Sequence, residues 1–304
     1  MGAEINPLII PDKPLANNYS LNTVDICPVG ALTSNDFRFQ MRVWFMRETK
    51  SICTGCARGC NILISSRENK IYRQTPRENN EVNSAWMCDS GRMHYHTLEA
   101  KRRLTDPMIK SGKGHEVIDW PTAILKATKG LSKFSGEEIA VIGSAGMTNE
   151  ELFLLKTLSS TLNAGIVDVV KAEGEGDEYL SHKDKRPNTN GAKAILKLRN
   201  PGSKINTIKK RIKDGEIKAL LVYGENVIKH GIDQETLKNL KFLVCSHIQA
   251  NSLAEFSNVI LPGSGYAEKR GSMINATGRL QVLNKAIEPP GQSREDWEIL
   301  QDLN

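Results

Sequence analysis

From about residue 104 onward the chain alternates two hydrophobic patterns. Short apolar runs, "EIAVIGSA", "IVDVV", "KALLVYG", "KFLVCSH" and "SNVILPG", read as buried strands. In "PTAILKATKGLSKF" and "TNEELFLLKTLSSTLNAG" the apolar residues fall at the helical period instead, and the second run is opened by Thr148 as a cap and closed by Gly165. Buried strands spaced by helices predict a parallel sheet covered on both faces. Ile205, Ile208 and Ile212 recur at helical spacing through "INTIKKRIKDGEIK", so the lysines and arginines around them are expected on a solvated face. "KAEGEGDEYLSHKDKRPNTNG" is polar throughout and is expected to form a long, mobile loop.

The pattern differs upstream. In residues 47–103, "NILISS" and "KIYRQ" read as a hairpin turned through "RENK", and "DSGRMHYHTLEAKRRL" looks helical. Residues 1–46 are irregular and end in "DFRFQMRVWFM", where Phe37, Phe39, Met41, Val43 and Phe45 alternate as in a half-buried strand. The expected fold class is α/β: a small subdomain with a β-hairpin over 47–103, then a parallel-sheet α/β domain over 104–304, with 1–46 too short to stand alone.

Composition narrows the function classes. With 304 residues and 39% hydrophobic content the chain buries a real core. No stretch approaches ~20 uninterrupted apolar residues, and "MGAEINPLII" lacks the basic and apolar regions of a secretory signal, so a cytoplasmic location is expected. Met1-Gly2 does not make a myristoylation motif, because Asn6 stands where Ser or Thr is needed. The net charge of +6 has no nucleic-acid recognition motif beside it, so no nucleic acid is expected; a basic face equally suits an acidic partner subunit.

Six cysteines are too sparse for a disulfide framework, and four of them crowd into "CTGCARGC" and "WMCDSGR" as Cys53, Cys56, Cys60 and Cys88. A cubane four-iron cluster needs one thiolate per iron. Three sulfurs from a tight loop and a remote fourth meet that need, and Gly55 and Gly59 let backbone N–H groups approach the cluster. The rival is structural zinc, whose four-cysteine sites usually come as two separated pairs. The three-plus-one grouping favours iron–sulfur. The remaining candidates are weaker. Cys245 in its apolar strand is expected to be a buried hydrophobe. His94 and His96 read as surface or as neighbours of the cluster. "GSAGMTNEE" is either an ordinary turn or a phosphate cradle. No Ser-His-Asp set or carboxylate pair is assigned, so no catalytic residue is expected.

"NTVDICPVGALTSNDFRFQMRVW", "SICTGCARGC", "RENKIYRQTPRENNEVNSAWMCDSGR", "SNVILPGSGYAEKRGSMINATGRLQ" and "PPGQSREDWEIL" resemble the large iron–sulfur subunit of bacterial NADH:quinone oxidoreductase (complex I), within the molybdopterin oxidoreductase superfamily. The resemblance implies that 47–103 is that family's four-iron domain with Cys53, Cys56, Cys60 and Cys88 as ligands. It implies that 104–304 is molybdopterin oxidoreductase-like and that the function is electron relay, with NADH and flavin on another subunit. Cys27, in "CPVGAL", matches the last ligand of an earlier cluster; the family's ferredoxin-like domain is not here, so the chain is expected to be an internal piece whose second cluster another chain completes. Ser90 stands where molybdenum enzymes of the superfamily carry a lysine, and no cysteine lies between Cys88 and Cys245, so one [4Fe–4S] cluster is expected and molybdopterin is not. The expected partners are other subunits of a respiratory or hydrogenase-type complex, including a separate N-terminal ferredoxin-like chain, with membrane contact only through that complex, at the inner face of the cell membrane. Two other readings stay open: a subunit of a formate dehydrogenase or bidirectional hydrogenase, and a zinc-stabilised scaffold.

Overall fold

A computed structural model describes residues 17–99, 101–112 and 114–304. The readings made on "MGAEINPLII" therefore lie outside the described residues.

The N-terminal part opens with a short helix α1 (Asn22–Ile26), and its sheet is an antiparallel meander of β1 (Arg47–Ile52), β2 (Asn61–Arg67) and β3 (Lys70–Pro76). Glu68 and Asn69 both take positive φ, 50° and 61°, which gives the β2–β3 hairpin the tight two-residue turn whose twist suits antiparallel strands. The strand expected from the Phe37 to Phe45 alternation does not form. Those residues make turns and a 3₁₀ turn (Val43–Phe45), and Phe39 is 92% exposed with φ at 62°. Alternation alone does not make a strand when no neighbouring strand offers a ladder. Beyond the meander the chain forms α2 (Asp89–Arg92) and a 3₁₀ turn (Met93–Thr97), a shorter helix than expected.

The second part is built on a seven-stranded sheet. An edge hairpin, β4 (Met108–Ser111) and β5 (Gly114–Val117), precedes α3 (Trp120–Leu131), β6 (Ile139–Ser144), α4 (Asn149–Thr161) and β7 (Ile166–Val170). Next come α5 (Thr189–Leu196), α6 (Ile205–Lys213), β8 (Ala219–Tyr223), α7 (Gln234–Leu237), β9 (Phe242–His247) and β10 (Val259–Pro262). A hairpin of β11 (Gly271–Ile274) and β12 (Leu280–Leu283) and the helix α8 (Asp296–Leu303) complete the chain. The sheet order is β5-β4-β10-β9-β8-β6-β7, with β10 through β7 parallel. Counting only parallel strands, this is the doubly wound order 2-1-3-4-5, whose connections part company between β6 and β8 and leave a crevice outside the strand carboxyl ends there.

Strand side chains alternate between two cores. Ile139, Val141, Leu221 and Val244 pack with α3, α4 and α8, while Ile142, Leu220, Val222 and Cys245 pack with Ile205, Ile208 and Ile212 of α6. Both faces are covered, which is why these strands read as continuous apolar runs. Cys245 is 1% exposed, as its apolar setting led us to expect. The cap of α4 is a full capping box: Thr148 Oγ1 accepts the Glu151 N–H and Glu151 returns a bond to the Thr148 N–H.

A third core crosses the expected boundary near residue 103. Ile52, Ile62, Ile64, Ile71, Met87 and Tyr95 pack with Tyr266, Met273 and Leu283, so the β11–β12 hairpin shares the interior of the small cysteine-bearing sheet.

Candidate metal centre

"CTGCARGC" is the connection between β1 and β2. The Cys53 N–H donates to the Cys60 carbonyl at 2.8 Å, closing the loop at its neck and turning its three thiols to one side. Cys88 caps α2, its sulfur accepting the Gly91 N–H at 3.3 Å and the Ser90 hydroxyl at 3.4 Å. A Cβ on Gly91 would lie 3.2 Å from Cys88 Sγ and 3.3 Å from Cys53 Sγ, so the backbone there passes close to both of these ligand candidates. All four cysteines line one cavity of about 230 Å³, together with Gly55, Ser90, Gly91 and His94. Among the described residues no three Cys, His, Asp or Glu side chains converge on a single-ion position.

The loop is braced from far along the chain. Gln281 Nε2 donates to the Gly59 carbonyl at 2.8 Å, Asn275 Nδ2 to the Arg58 carbonyl at 3.2 Å, and the Ala276 N–H to the Ala57 carbonyl at 2.7 Å. The remaining wall comes from 171–187, the greater part of the 171–191 stretch expected to be a long, mobile loop; it is pinned across the cavity with Leu180, Ser181 and Lys185 lining it, and the end of the stretch enters α5. Its clamps are the Ala57 N–H on the Asp184 carbonyl at 2.9 Å, Arg58 on the Tyr179 carbonyl at 2.7 Å, and Tyr19 Oη on Asp177 at 2.6 Å. A polar sequence gives no hint of this, because the partners Tyr19, Ala57 and Arg58 lie more than a hundred residues away.

Burial pushes the Cys60 thiol up to about 12, with Cys56 and Cys88 adding to the shift, and burial likewise drives Cys53 well above the ordinary thiol range. Crowded, desolvated thiols hold their protons until a positively charged group draws them off as thiolates. The donor set therefore fits an iron–sulfur cluster: four sulfurs around a shared volume, N–H donors aimed at sulfur, and a closed wall.

The two histidines divide. His94 lines the cavity, meets Thr54 Oγ1 at 3.2 Å and stacks on Tyr266 at 5.0 Å; burial pulls its pKa down to about 4. His96 sits on the surface between Asp36 and Glu99.

Cys27 does not line this cavity. It follows α1, and its segment is stapled to the Cys88 turn: Asn22 Nδ2 donates to the Met87 carbonyl at 2.9 Å, the Asp89 N–H to the Asn18 carbonyl at 2.7 Å, and Arg92 pairs with Asp25. The N–H groups of Leu32, Ala31, Val29 and Gly30 hold the Cys27 thiol below its ordinary range against a smaller effect of burial.

A second cavity, about 310 Å³, opens at the carboxyl ends of β6 and β8, where the doubly wound order places a crevice. Ser144, Gly146, Tyr223, Arg186, His247, Lys269 and Asp296 are among its walls, and Gly55, His94 and Lys185 belong to both cavities. Two of its three lysine and arginine side chains are spent internally. Lys269 Nζ lies 2.9 Å from both Glu151 and Asp296, and Arg186 lies 2.6 Å from Glu225, which also takes the Ser144 hydroxyl at 2.6 Å. "GSAGMTNEE" lines this cavity, but the Thr148 N–H that opens α4 is already taken by the Glu151 carboxylate.

Two family models match the chain: "NADH-ubiquinone oxidoreductase NDSU1/NuoG-like, 4Fe-4S domain" over residues 46–96, and "Molybdopterin oxidoreductase" over 187–304. The chain is 26% identical to the mitochondrial NADH-ubiquinone oxidoreductase 78 kDa subunit of Candida albicans, over 96% of this chain and 57% of that one. It is 24% identical to the NADH-ubiquinone oxidoreductase 75 kDa subunit of Reclinomonas americana, over 96% of this chain and 62% of that one. A bacterial relative, an NADH-quinone oxidoreductase subunit from Streptomyces coelicolor, is 34% identical over 56% of this chain and 20% of its own length. The chain thus spans less than two thirds of each of these relatives. Among solved structures, acetylene hydratase from Pelobacter acetylenicus superposes with a TM-score of 0.54 at 8% identity, covering 84% of this chain and 68% of that one, a likeness of fold alone.

Proposed function

We propose that this chain, a relative of the large iron–sulfur subunits of NADH:quinone oxidoreductases, holds one [4Fe–4S] cluster on Cys53, Cys56, Cys60 and Cys88 and relays electrons inside a larger respiratory-type assembly. The observation that carries this reading is the single cavity walled by all four cysteines, with backbone N–H groups of Gly55 and Gly91 directed at two of the sulfurs. Such a cluster, when bound, accepts and returns one electron at a time. The chain's own residues orient the thiols, exclude water through Leu180 and Met87, and supply donors to sulfur. A lone zinc ion holds its sulfurs at ~2.3 Å and so draws them close together; a shared cavity suits the larger group better. The internal pairing of Lys269 and Arg186, two of the crevice's three lysine and arginine side chains, supports a crevice without molybdopterin, since an anionic dinucleotide would find most of the positive charge already paired.

The partner reading rests on the surface beside Cys27. Val29, Phe39 and Trp44 are 81%, 92% and 72% exposed, with Arg38 over the Phe39 ring and Arg42 over Trp44. A concentration of exposed apolar side chains marks an interaction site. Cys27 is then one ligand of a second cluster that another chain completes. Among the described residues no helix is long and apolar enough to cross a membrane, so membrane contact through the assembly remains part of this proposal.

Anaerobic purification with iron, zinc and molybdenum analysis and EPR tests the reading. About four irons per chain with a reducible cluster signal and Cys27 open to alkylation is the expected result; zinc near one per chain, or stoichiometric molybdenum, sinks it.

A further inference from the structure

Lys185 stands apart from the other cations near the cysteines. Its side chain lines both the four-cysteine cavity and the crevice at the sheet ends. Arg186, Lys269, Arg103 and Arg92 are each closed by a carboxylate. Among the described residues Lys185 has no carboxylate within ion-pair distance, and its Nζ donates to Ser181 Oγ at 3.0 Å, another residue of the cavity wall. The side chain is aimed there by its loop. Its N–H is tied to the Ala172 carbonyl at 2.7 Å, and a Cβ on Gly174 would lie 3.1 Å from its Cε and 3.2 Å from its Cγ, so the stem lies flat against bare backbone.

We infer that Lys185 sets the electron affinity of the four-cysteine site: its uncompensated ammonium, carried by the 171–187 loop, favours the reduced state of the group that Cys53, Cys56, Cys60 and Cys88 hold. This rests on the cluster reading above. When one electron arrives from a one-electron donor, no bond forms or breaks and the site becomes more negative by one charge. A half-buried cation facing a desolvated site acts at low effective dielectric, where one charge at several ångströms changes an equilibrium by about tenfold. Arg58 adds a second cation, but its guanidinium is turned onto the Tyr179 carbonyl and serves the loop clamp.

The experiment is a dithionite-mediated EPR redox titration of the full chain, purified anaerobically, with iron counted in every sample. Lys185→Met is expected to lower the reduced-to-oxidised ratio at fixed potential about tenfold, equivalent to ~59 mV in midpoint for a one-electron couple. Lys185→Arg should restore the ratio. Lys185→Gln, which keeps a donor for Ser181 without the charge, should not, and Lys183→Met, an exposed neighbour, should leave it unchanged. Rescue by Gln, or equal midpoints for wild type, Met and Gln variants at full iron content, overturns the inference while leaving the cluster reading intact. A wild-type chain without iron overturns both.

Discussion

The four-cysteine cavity and the crevice at the sheet ends share a wall, yet they treat charge in opposite ways. Apart from the shared Lys185, the crevice sets its cations against carboxylates: Lys269 between Glu151 and Asp296, Arg186 against Glu225. The cysteine cavity gathers four ionisable thiols with no carboxylate among its lining residues and one cation, Lys185, that no carboxylate neutralises among the described residues. A buried site that balances its own charge has no electrostatic need of a ligand, whereas one left unbalanced is stable only as protonated thiols or with a charged group inside.

The comparison breaks most sharply at Cys88. Cys88→Ser should strip or degrade the cluster and loosen the cysteine-bearing part, because ligation energy is also folding energy, on the order of 10 kcal/mol for a structural metal. Iron content and the EPR spectrum are the readouts, and full iron with an unchanged spectrum would exclude Cys88 as a ligand. On the other side of the wall, Lys269→Met leaves two buried carboxylates facing each other and should cost ~3–5 kcal/mol in denaturant unfolding. Iron content should survive at permissive temperature. If the loss is below ~1 kcal/mol, the matched set is not what holds α4 and α8 together.

A third test uses pH. Burial raises the Glu225 pKa, but the hydrogen bond from His230, the charge of Arg186 and the Ser144 hydroxyl outweigh it and leave the carboxyl below its usual range. A depressed folded-state pKa gives stability that is complete above the unfolded value of about 4.3 and is lost as pH falls through the folded value. Glu225→Gln should flatten that part of the acid limb, and an unaltered limb below about pH 4.3 would show that the group contributes nothing there. The smallest effect belongs to Tyr19→Phe. It removes the hydroxyl that bonds Asp177 and accepts the Leu180 and Ser181 N–H groups at 3.2 Å, at a cost of about 1 kcal/mol. Faster amide exchange confined to 177–185 and faster bleaching of the cluster in air are the expected signs.

The parts that showed in the sequence are those whose cause is local. Two-sided burial writes itself as apolar runs, so β6 to β10 were legible, as was the Thr148 cap, though its return bond from Glu151 was seen only in the structure. The gathering of Cys53, Cys56, Cys60 and Cys88 around one cavity was legible because three of them share one short loop. What did not show depends on distant partners. The Phe37 to Phe45 alternation suggested a strand, but Phe39 turns outward at positive φ. The 171–187 segment looked mobile because its clamps, Tyr19, Ala57 and Arg58, lie more than a hundred positions upstream. Nothing in "HKDK" distinguishes Lys185 from Lys183; only the loop path does. The β11–β12 hairpin was missed for a related reason: its buried residues, Met273 and Leu283, belong to a core begun near residue 52.

The braces from Asn275 and Gln281, reaching back 217 and 222 positions, also bear on synthesis. At the roughly 5–20 residues per second of a ribosome, the cysteine loop emerges tens of seconds before the strands that fix it. Until residue 187 is made the loop lacks its 171–187 wall, and until residue 281 is made it lacks the Gln281 brace. On the proposed function, a cluster delivered before residue 281 is made would meet a loop without its final braces. A cell short of the insertion machinery should accumulate a chain whose sheet is complete and whose first-made cysteines are the last part to mature.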